Sequence, residues 1–369
     1  MDTFVLGAQI ASGAGALDKL LELSCDRAAV VCDPFMAKSG ASHQVTDRLD
    51  KIGCTWELFD RVVPDPTVDV VSACVSLFME VRPTCVVALG GGSAIDTAKA
   101  ASYIYTRTAK VERPLFVAVP TTSGTGSEVT SFSVISDPEA GVKYPIVSDE
   151  LLPDHAILDP ELTRTVPPVV TADTGLDVLT HALEAYVATD ATDMSDALAE
   201  KAAAVVFECL EHVVEHGDDI VARERMHNAS CMAGVAFNNA GLGLCHAMAH
   251  ALGAQVHLPH GRCNALLLPH TIRFNAKDPA VCARYARIAA RVGCCCHTDV
   301  VAVEGLVRKI EQLMRAVHVA PVIEDEERRA LAREKIDVMV ANAQKDRCMP
   351  TNPVTATPEQ IAELYRSIC

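Results

Sequence analysis

One feature constrains this chain more than any other. Over its first half, short apolar runs alternate with helix-like stretches, and the alternation stops near Val166–Pro168. The runs are Ala28–Cys32, Cys85–Leu89, Leu115–Val119 and Ala156–Leu158, with a weaker one at Thr55–Phe59; between them lie helix-like stretches at Gly15–Leu23, Ser42–Ile52, Val68–Val81 and Ala94–Thr106. Continuously apolar strands separated by helices require a parallel sheet covered on both faces. After Pro168 the pattern is helical almost throughout. Asp193–His216 repeats apolar residues every three or four positions, and breakers fall at Gly217, Gly241–Gly243, Pro259–Gly261 and Pro269. The expected architecture is an α/β domain with a parallel sheet over residues 1–165, then an all-α domain over 166–369. No internal repeat or low-complexity segment interrupts either half.

A chain of 369 residues, half of them apolar, can fill two such cores. The formal charge of -16 repels phosphate backbones and anionic lipid, which argues against nucleic-acid and membrane partners. No apolar run reaches the length of a membrane span, and the N-terminal run lacks the basic and apolar regions of a signal peptide; a cytoplasmic protein is expected. The segment Phe4–Leu20 is expected to form the first hairpin or helix of the fold, with a targeting element as the alternative. The 15 cysteines show no C-x-x-C spacing. They suit a reducing compartment in which cysteine serves as a small buried hydrophobe. The run Cys294–Cys296 followed by His297 is too tightly spaced to chelate one tetrahedral ion.

In an open parallel sheet, ligands bind beyond the C-terminal ends of the strands. Four segments are expected there: Asp33, Pro64–Pro66, Gly90–Ser93 and Thr121–Glu128. The glycines of Gly90–Ser93 let backbone N–H groups approach a phosphate, and the helix that follows adds its N-terminal partial charge. Ile95 stands where the third glycine of a G-x-G-x-x-G fingerprint would be, so the motif alone is weak. Residues Thr121–Ser127 carry five hydroxyls and two glycines, enough to wrap a polar ligand or to form a surface turn. Asp33 could accept from a ribose and repel a 2′-phosphate, or simply cap a turn.

The second half holds the sharper signal. Asp177 and His181 are four apart in a helical pattern, so both leave one face; His246 and His250 repeat the spacing, and His260 follows between Pro259 and Gly261. A carboxylate with neutral imidazoles makes a divalent transition-metal site. The spacing leaves open which of His246, His250, His257, His260 and His270 are ligands.

At these residues the chain resembles the iron-containing (group III) alcohol dehydrogenases. The resemblance rests on LGGGSAIDTAK (Leu89–Lys99), PTTSGTGSEVT (Pro120–Thr130), TGLDVLTHALEAY (Thr174–Tyr186) and GLGLCHAMAHALGAQVHLPHG (Gly241–Gly261). It implies a Rossmann-like first domain and a helical second domain, the architecture also shared with dehydroquinate synthase. It implies Fe2+, or Zn2+ as a substitute, on Asp177, His181, His246 and His260. It also implies NAD(H) at Gly91, Gly92, Ser93, Asp96, Thr121, Thr122 and Lys143, with Asp33 where an acid disfavours NADP. His250 is implied beside the substrate as a proton carrier, and Phe237, Leu242 and Cys348 near the substrate pocket. Asp65 stands where the family often has Asn, so its cofactor contact lacks a donor. Runs such as SVISDPEAGVKYP, AILDPEL, SDALAEKAA and MHNAS resemble the branch of the family found in propanediol-utilisation microcompartments. That implies short-chain aldehydes and alcohols as substrates, a homo-oligomer, and a shell or aldehyde dehydrogenase as neighbour. The rival expectations are a glycerol or other polyol dehydrogenase, or a lyase, on the same fold, and a cofactor-binding scaffold without chemistry. The scaffold would be expected to lack at least one metal ligand.

Overall fold

The computed structural model describes residues 3–137, 142–295 and 297–369, with backbone alone for 137 and 142–144. It forms two compact units. One contains Leu6–Val166 with Asp218–Cys231; the other contains Met1–Val5, Pro167–Gly217 and Met232–Cys369.

The first unit is built on a six-stranded sheet. Its strands are β1 (Gln9–Ser12), β2 (Arg27–Cys32), β3 (Thr55–Phe59), β4 (Cys85–Gly90), β5 (Leu115–Pro120) and β8 (His155–Leu158). They lie in the order β1-β8-β5-β4-β2-β3, every neighbour pair parallel. A separate antiparallel hairpin joins β6 (Phe132–Asp137) to β7 (Val142–Val147). Alternate residues of the apolar strands feed two cores. Ala28, Val30, Cys32, Val87, Leu89 and Val117 pack on one face with Val45 and Leu49 of α2 (Ala41–Lys51). Ala29, Val31, Val86, Ala88 and Ala118 pack on the other with Phe78 of α3 (Val68–Val81) and Ile95, Ala98 and Tyr105 of α4 (Gly92–Ala109). Both faces are covered, as continuously apolar strands require.

Five of the six sheet strands and α2, α3 and α4 fall on runs singled out in the sequence. The stretch expected to be helical at Gly15–Leu23 is a 3-10 helix, Ala16–Glu22, with Leu17 and Leu20 buried. It follows β1, which pairs with β8, so Phe4–Leu20 contributes a strand and the start of that helix to the fold.

The strand order reverses direction between β2 and β4. Cys32 is in register with Leu89, which places the residues after both strands at one switch point. Asp33 caps the short α1 (Pro34–Lys38) there, and Gly90 and Gly91 lead into α4.

The second unit is helical. Its elements are α5 (Pro168–Val187), α6 (Asp193–Glu215), the later part of α7 (Ile220–Ala240), α8 (Leu244–Val256), α9 (His260–Asn275), α10 (Pro279–Arg291), α11 (Asp299–Ala316), α12 (Glu326–Glu334), α13 (Ile336–Lys345) and α14 (Pro358–Ile368). A capping box closes the N-terminus of α6, with Thr192 and Ser195 exchanging side-chain bonds to backbone N–H groups. Helix α5 is buried along nearly its whole length from Thr171 to Val187. It packs against α6 and α9, while α8 packs against α9 and α13. Among the described residues no helix is long and apolar enough to cross a membrane.

Candidate active site

Three helices of the second unit deliver one cluster. Asp177 and His181 leave α5 one turn apart, His246 sits in the first turn of α8, and His260 opens α9. One potential ligand atom from each lies within 4.8 Å of the others. The approach of α9 to α5 depends on Gly261. A Cβ there would stand 2.1 Å from the Asp173 carbonyl oxygen and 3.3 Å from Asp177 Cβ, so only glycine lets His260 reach Asp177.

Asp177, His181 and His246 are buried. Burial would raise the Asp177 carboxyl, but the imidazoles of His181, His260 and His246 hold it well below the usual carboxylate range. Burial pushes the His181 imidazole down to about 3, so it is neutral and has a free lone pair. Burial alone would lower His246 too, but Asp177 and Glu184 raise it to about 9, so this point of the cluster draws positive charge.

The donor set fits a divalent cation. Asn264 Nδ2 donates to Asp177 Oδ1 at 2.7 Å and lies 3.0 Å from His246 Nε2 and 3.2 Å from His260 Nε2. One amide nitrogen has two protons and cannot serve all three neighbours at once. His181 Nδ1 and Asn264 Oδ1 are buried with no hydrogen-bond partner. A carboxylate and three imidazoles converging on one point is the chemistry of a transition-metal site.

The expected metal residues therefore come together. Of the five candidate histidines, His246 and His260 belong to this cluster. His257 ends α8 in a left-handed conformation, and His270 lies within α9. His250, one turn after His246, belongs to a neighbouring group with Asp346 and Cys348. Its Nδ1 is 2.9 Å from Asp346 Oδ2, and its ring stacks on His260 at 5.2 Å between centroids. Phe237 stacks on His181 at 4.5 Å. The Leu242 carbonyl accepts from Thr351 Oγ1 at 2.6 Å, and Cys348 N donates to Asp346 Oδ1 at 2.8 Å.

Sequence reasoning missed three residues that hold this cluster. Glu184 Oε2 is 2.5 Å from His246 Nδ1, and the same carboxylate accepts from Cys245 N at 2.7 Å and His246 N at 3.2 Å. Asn264 and Asp346 are the others. The overlooked signal was periodicity: Glu184 follows Asp177 and His181 at the i+7 position of one helix face, and Asn264 follows His260 at i+4.

In the first unit, the expected cofactor residues gather at the C-terminal ends of β2, β4 and β5. Gly90 has φ +148, and a Cβ there would meet Ala94 Cβ at 2.7 Å and Asp33 Oδ2 at 3.6 Å. Asp33 Oδ1 accepts from Phe35 N and Met36 N at 2.8 and 3.0 Å, so this residue is a helix cap as well as a neighbour of the glycine turn. A Cβ on Gly91 would lie 3.1 Å from Thr122 Oγ1, and one on Gly92 2.8 Å from Thr125 Cγ2; the glycine turn and the hydroxyl-rich loop are in contact. Ser93 lies in the first turn of α4, and Thr121 N donates to Gly90 O at 3.0 Å.

Asp96 turns away from this surface. It accepts from Ser127 Oγ at 2.6 Å and Val134 N at 3.0 Å. Buried Lys99, missed as a site residue, donates to the carbonyls of Ser127, Thr130 and Phe132 at 2.5, 2.6 and 3.1 Å. Together they brace the end of the loop. Asp65 has φ +52. Lys143 is described only through its backbone in β7, and its side chain lies outside the described residues.

Residues 7–160 match the family model described as iron-containing alcohol dehydrogenase, and residues 171–369 match its C-terminal counterpart. The chain is 45% identical, over the full length of both proteins, to the 1-propanol dehydrogenase PduQ of Citrobacter freundii. It is equally similar, at 45% over the full length of both, to the protein of that name from Salmonella typhimurium. Its fold superposes on an iron-containing alcohol dehydrogenase from Thermococcus thioreducens with a TM-score of 0.91 at 34% identity, covering 99% of each chain.

Proposed function

The chain belongs to the iron-containing alcohol dehydrogenase family and is a metal-dependent alcohol dehydrogenase; from that premise we propose that it interconverts short primary alcohols and aldehydes with NAD(H). Propanal and 1-propanol are the favoured pair, from the relatives named for that alcohol. One observation carries the reading: four potential ligand atoms from three helices, one each from Asp177, His181, His246 and His260, lie within 4.8 Å of one another.

Asp177, His181, His246 and His260 would hold the ion, Fe2+ by family and Zn2+ as a substitute. When bound, it supplies Lewis-acid polarisation of the substrate oxygen and makes an alkoxide accessible near neutral pH. Glu184 accepts a hydrogen bond from the Nδ1–H of His246, so the imidazole presents the Nε2 lone pair. Asp346 does the same for His250, leaving its Nε2 to hold or release the proton that accompanies hydride transfer. Phe237 packs on His181 and, with Leu242 and Cys348, makes the substrate wall. Gly91, Gly92, Ser93, Thr121 and Thr122 would bind the dinucleotide, with Lys143 nearby and Asp96 acting through the loop it braces; Asp33 would disfavour a 2′-phosphate. We further propose a cytoplasmic homo-oligomer that can reside in a microcompartment beside shell or aldehyde dehydrogenase.

Anaerobic metal analysis with NADH oxidation across a series of short aldehydes tests the proposal. His260→Ala should lose metal and turnover together. His250→Ala should keep its metal while turnover falls by about 10²–10⁴-fold. A metal-free His250→Ala protein would overturn the assignment of ligand and proton carrier.

A further inference from the structure

Three cysteines lie at the N-terminal ends of three adjacent strands, the opposite end of the sheet from the cofactor loops. Cys25 precedes β2, Cys54 precedes β3 and Cys85 opens β4. Cys25 Sγ and Cys54 Sγ are 3.4 Å apart, although 29 residues separate them. The backbone beside each is fixed: the Asp26 carbonyl accepts from Thr55 N at 3.0 Å and from Thr55 Oγ1 at 3.0 Å. Cys25 is half-buried, whereas Cys54 and Cys85 are buried at 2% and 0% exposure.

We infer that Cys25 and Cys54 form a two-electron oxidation site for small hydroperoxides, with Cys25 as the attacking thiol and Cys54 as its resolving partner.

The argument is geometric first. Only Cys25 of the three is open to a reagent, and the sulfur it needs for resolution is already in contact. Closing from that contact to a bond of about 2.05 Å needs only small side-chain rotations. The electrostatics agree. The Cys85 thiol lowers the Cys25 thiol, against the effect of burial and with help from Cys54, while burial raises Cys54. The first proton therefore leaves from the sulfur that a reagent can reach.

The chemistry balances. The Cys25 thiolate attacks the peroxide, the O–O bond breaks, an S–O bond forms, and the alcohol or water leaves with a proton. Cys54 then attacks the sulfenic acid, the S–S bond forms, and water leaves. Two thiols lose two electrons and the peroxide gains them.

A six-residue strand spans about 20 Å, so this site is remote from the cofactor loops at the other end. Oxidation should leave alcohol dehydrogenase turnover within about twofold while lowering the titratable thiols by two from 15.

The test treats reduced holoenzyme with equimolar hydrogen peroxide in one arm and diamide in the other, then maps peptides after alkylation. Both arms should yield a linked Cys25–Cys54 peptide. In Cys54→Ser, peroxide should leave a sulfenic acid on Cys25 that dimedone traps. If neither arm links the two, the pair is refuted. If diamide links them and peroxide does not, hydroperoxide is the wrong oxidant class. If Cys54→Ser gives no dimedone adduct on Cys25, the attacking thiol is misassigned. None of these readouts depends on the metal site or the substrate.

Discussion

Replacing Glu184 with glutamine changes one atom type in the carboxylate that holds His246. The carboxylate is 4% exposed at its side chain and accepts three contacts: Cys245 N on Oε1, and His246 N and Nδ1 on Oε2. An amide keeps one oxygen. If that oxygen faces His246, the new NH2 faces the Cys245 N–H; if it flips, the NH2 faces two donors. Either way a buried donor is left without an acceptor, which costs about 1–3 kcal/mol. The charge that fixes the His246 tautomer is also lost, and outer-shell changes of this kind lower metal affinity about 10–100-fold. The two effects are separable. Denaturant midpoints of the metal-free proteins report the first. Competition with a chelator of known affinity, read as metal retained per chain, reports the second. Turnover at saturating metal should recover most of its loss, because the four ligands are intact. If Glu184→Gln retained metal as tightly as the parent, Glu184 would not be positioning His246 and the cluster's order would have another source.

Two further expectations concern the first unit. Asp33→Ser keeps a cap acceptor for α1, worth about 1 kcal/mol, while removing the charge beside the glycine turn. Its ratio of kcat/KM for NADPH over NADH should rise at least about tenfold with little change in stability, and an unchanged ratio would remove Asp33 from cofactor selection. Glu128 is 2% exposed, and burial raises its carboxyl from 4.5 to about 7. A carboxyl raised by folding contributes its full stability below pH 4.5 and loses it as pH rises through 7. Glu128→Gln stays neutral, so its stability relative to the parent should climb by on the order of 3 kcal/mol across that window and level off above it. Denaturant midpoints at pH 5 and pH 8 check this, and a constant difference would contradict it.

The parts of the fold that are legible in sequence are those in which one residue's environment repeats along the chain. Ala28–Cys32 and Cys85–Leu89 are apolar at every position because both faces of their strands are buried, and their shortness sets them apart from a buried helix. The edge strand β1 shows no such run. Gln9, Ile10 and Ser12 are exposed, and only its pairing with β8 makes it a strand. The β6–β7 hairpin is hidden for a related reason: Ser133, Ser136 and Pro145 interrupt its apolar alternation, and its order comes from contacts such as Val134 N to Asp96 rather than from propensity.

The same distinction runs through the site. Asp177 and His181 could be paired by eye because an i, i+4 spacing is a local property of α5. Glu184 is one turn further along that helix, yet its role is set by what α8 lacks. Helix α8 starts at Gly243, which has no side chain to cap it. A Cβ at Gly243 would meet Asn352 Oδ1 at 2.6 Å and Glu184 Oε1 at 2.9 Å, the two oxygens that take the place of a local cap on Leu244 N and Cys245 N. The glycine that looks like a helix breaker is therefore the opening through which two distant side chains enter. One of them then fixes a ring nitrogen of His246. Capping that is normally read three residues away has been transferred to residues 61 and 108 positions distant. No window of sequence short enough to show a period contains both ends of such a bond. Local patterns could suggest ligands, but the residues that orient them came into view only when α5, α8 and α9 were packed together.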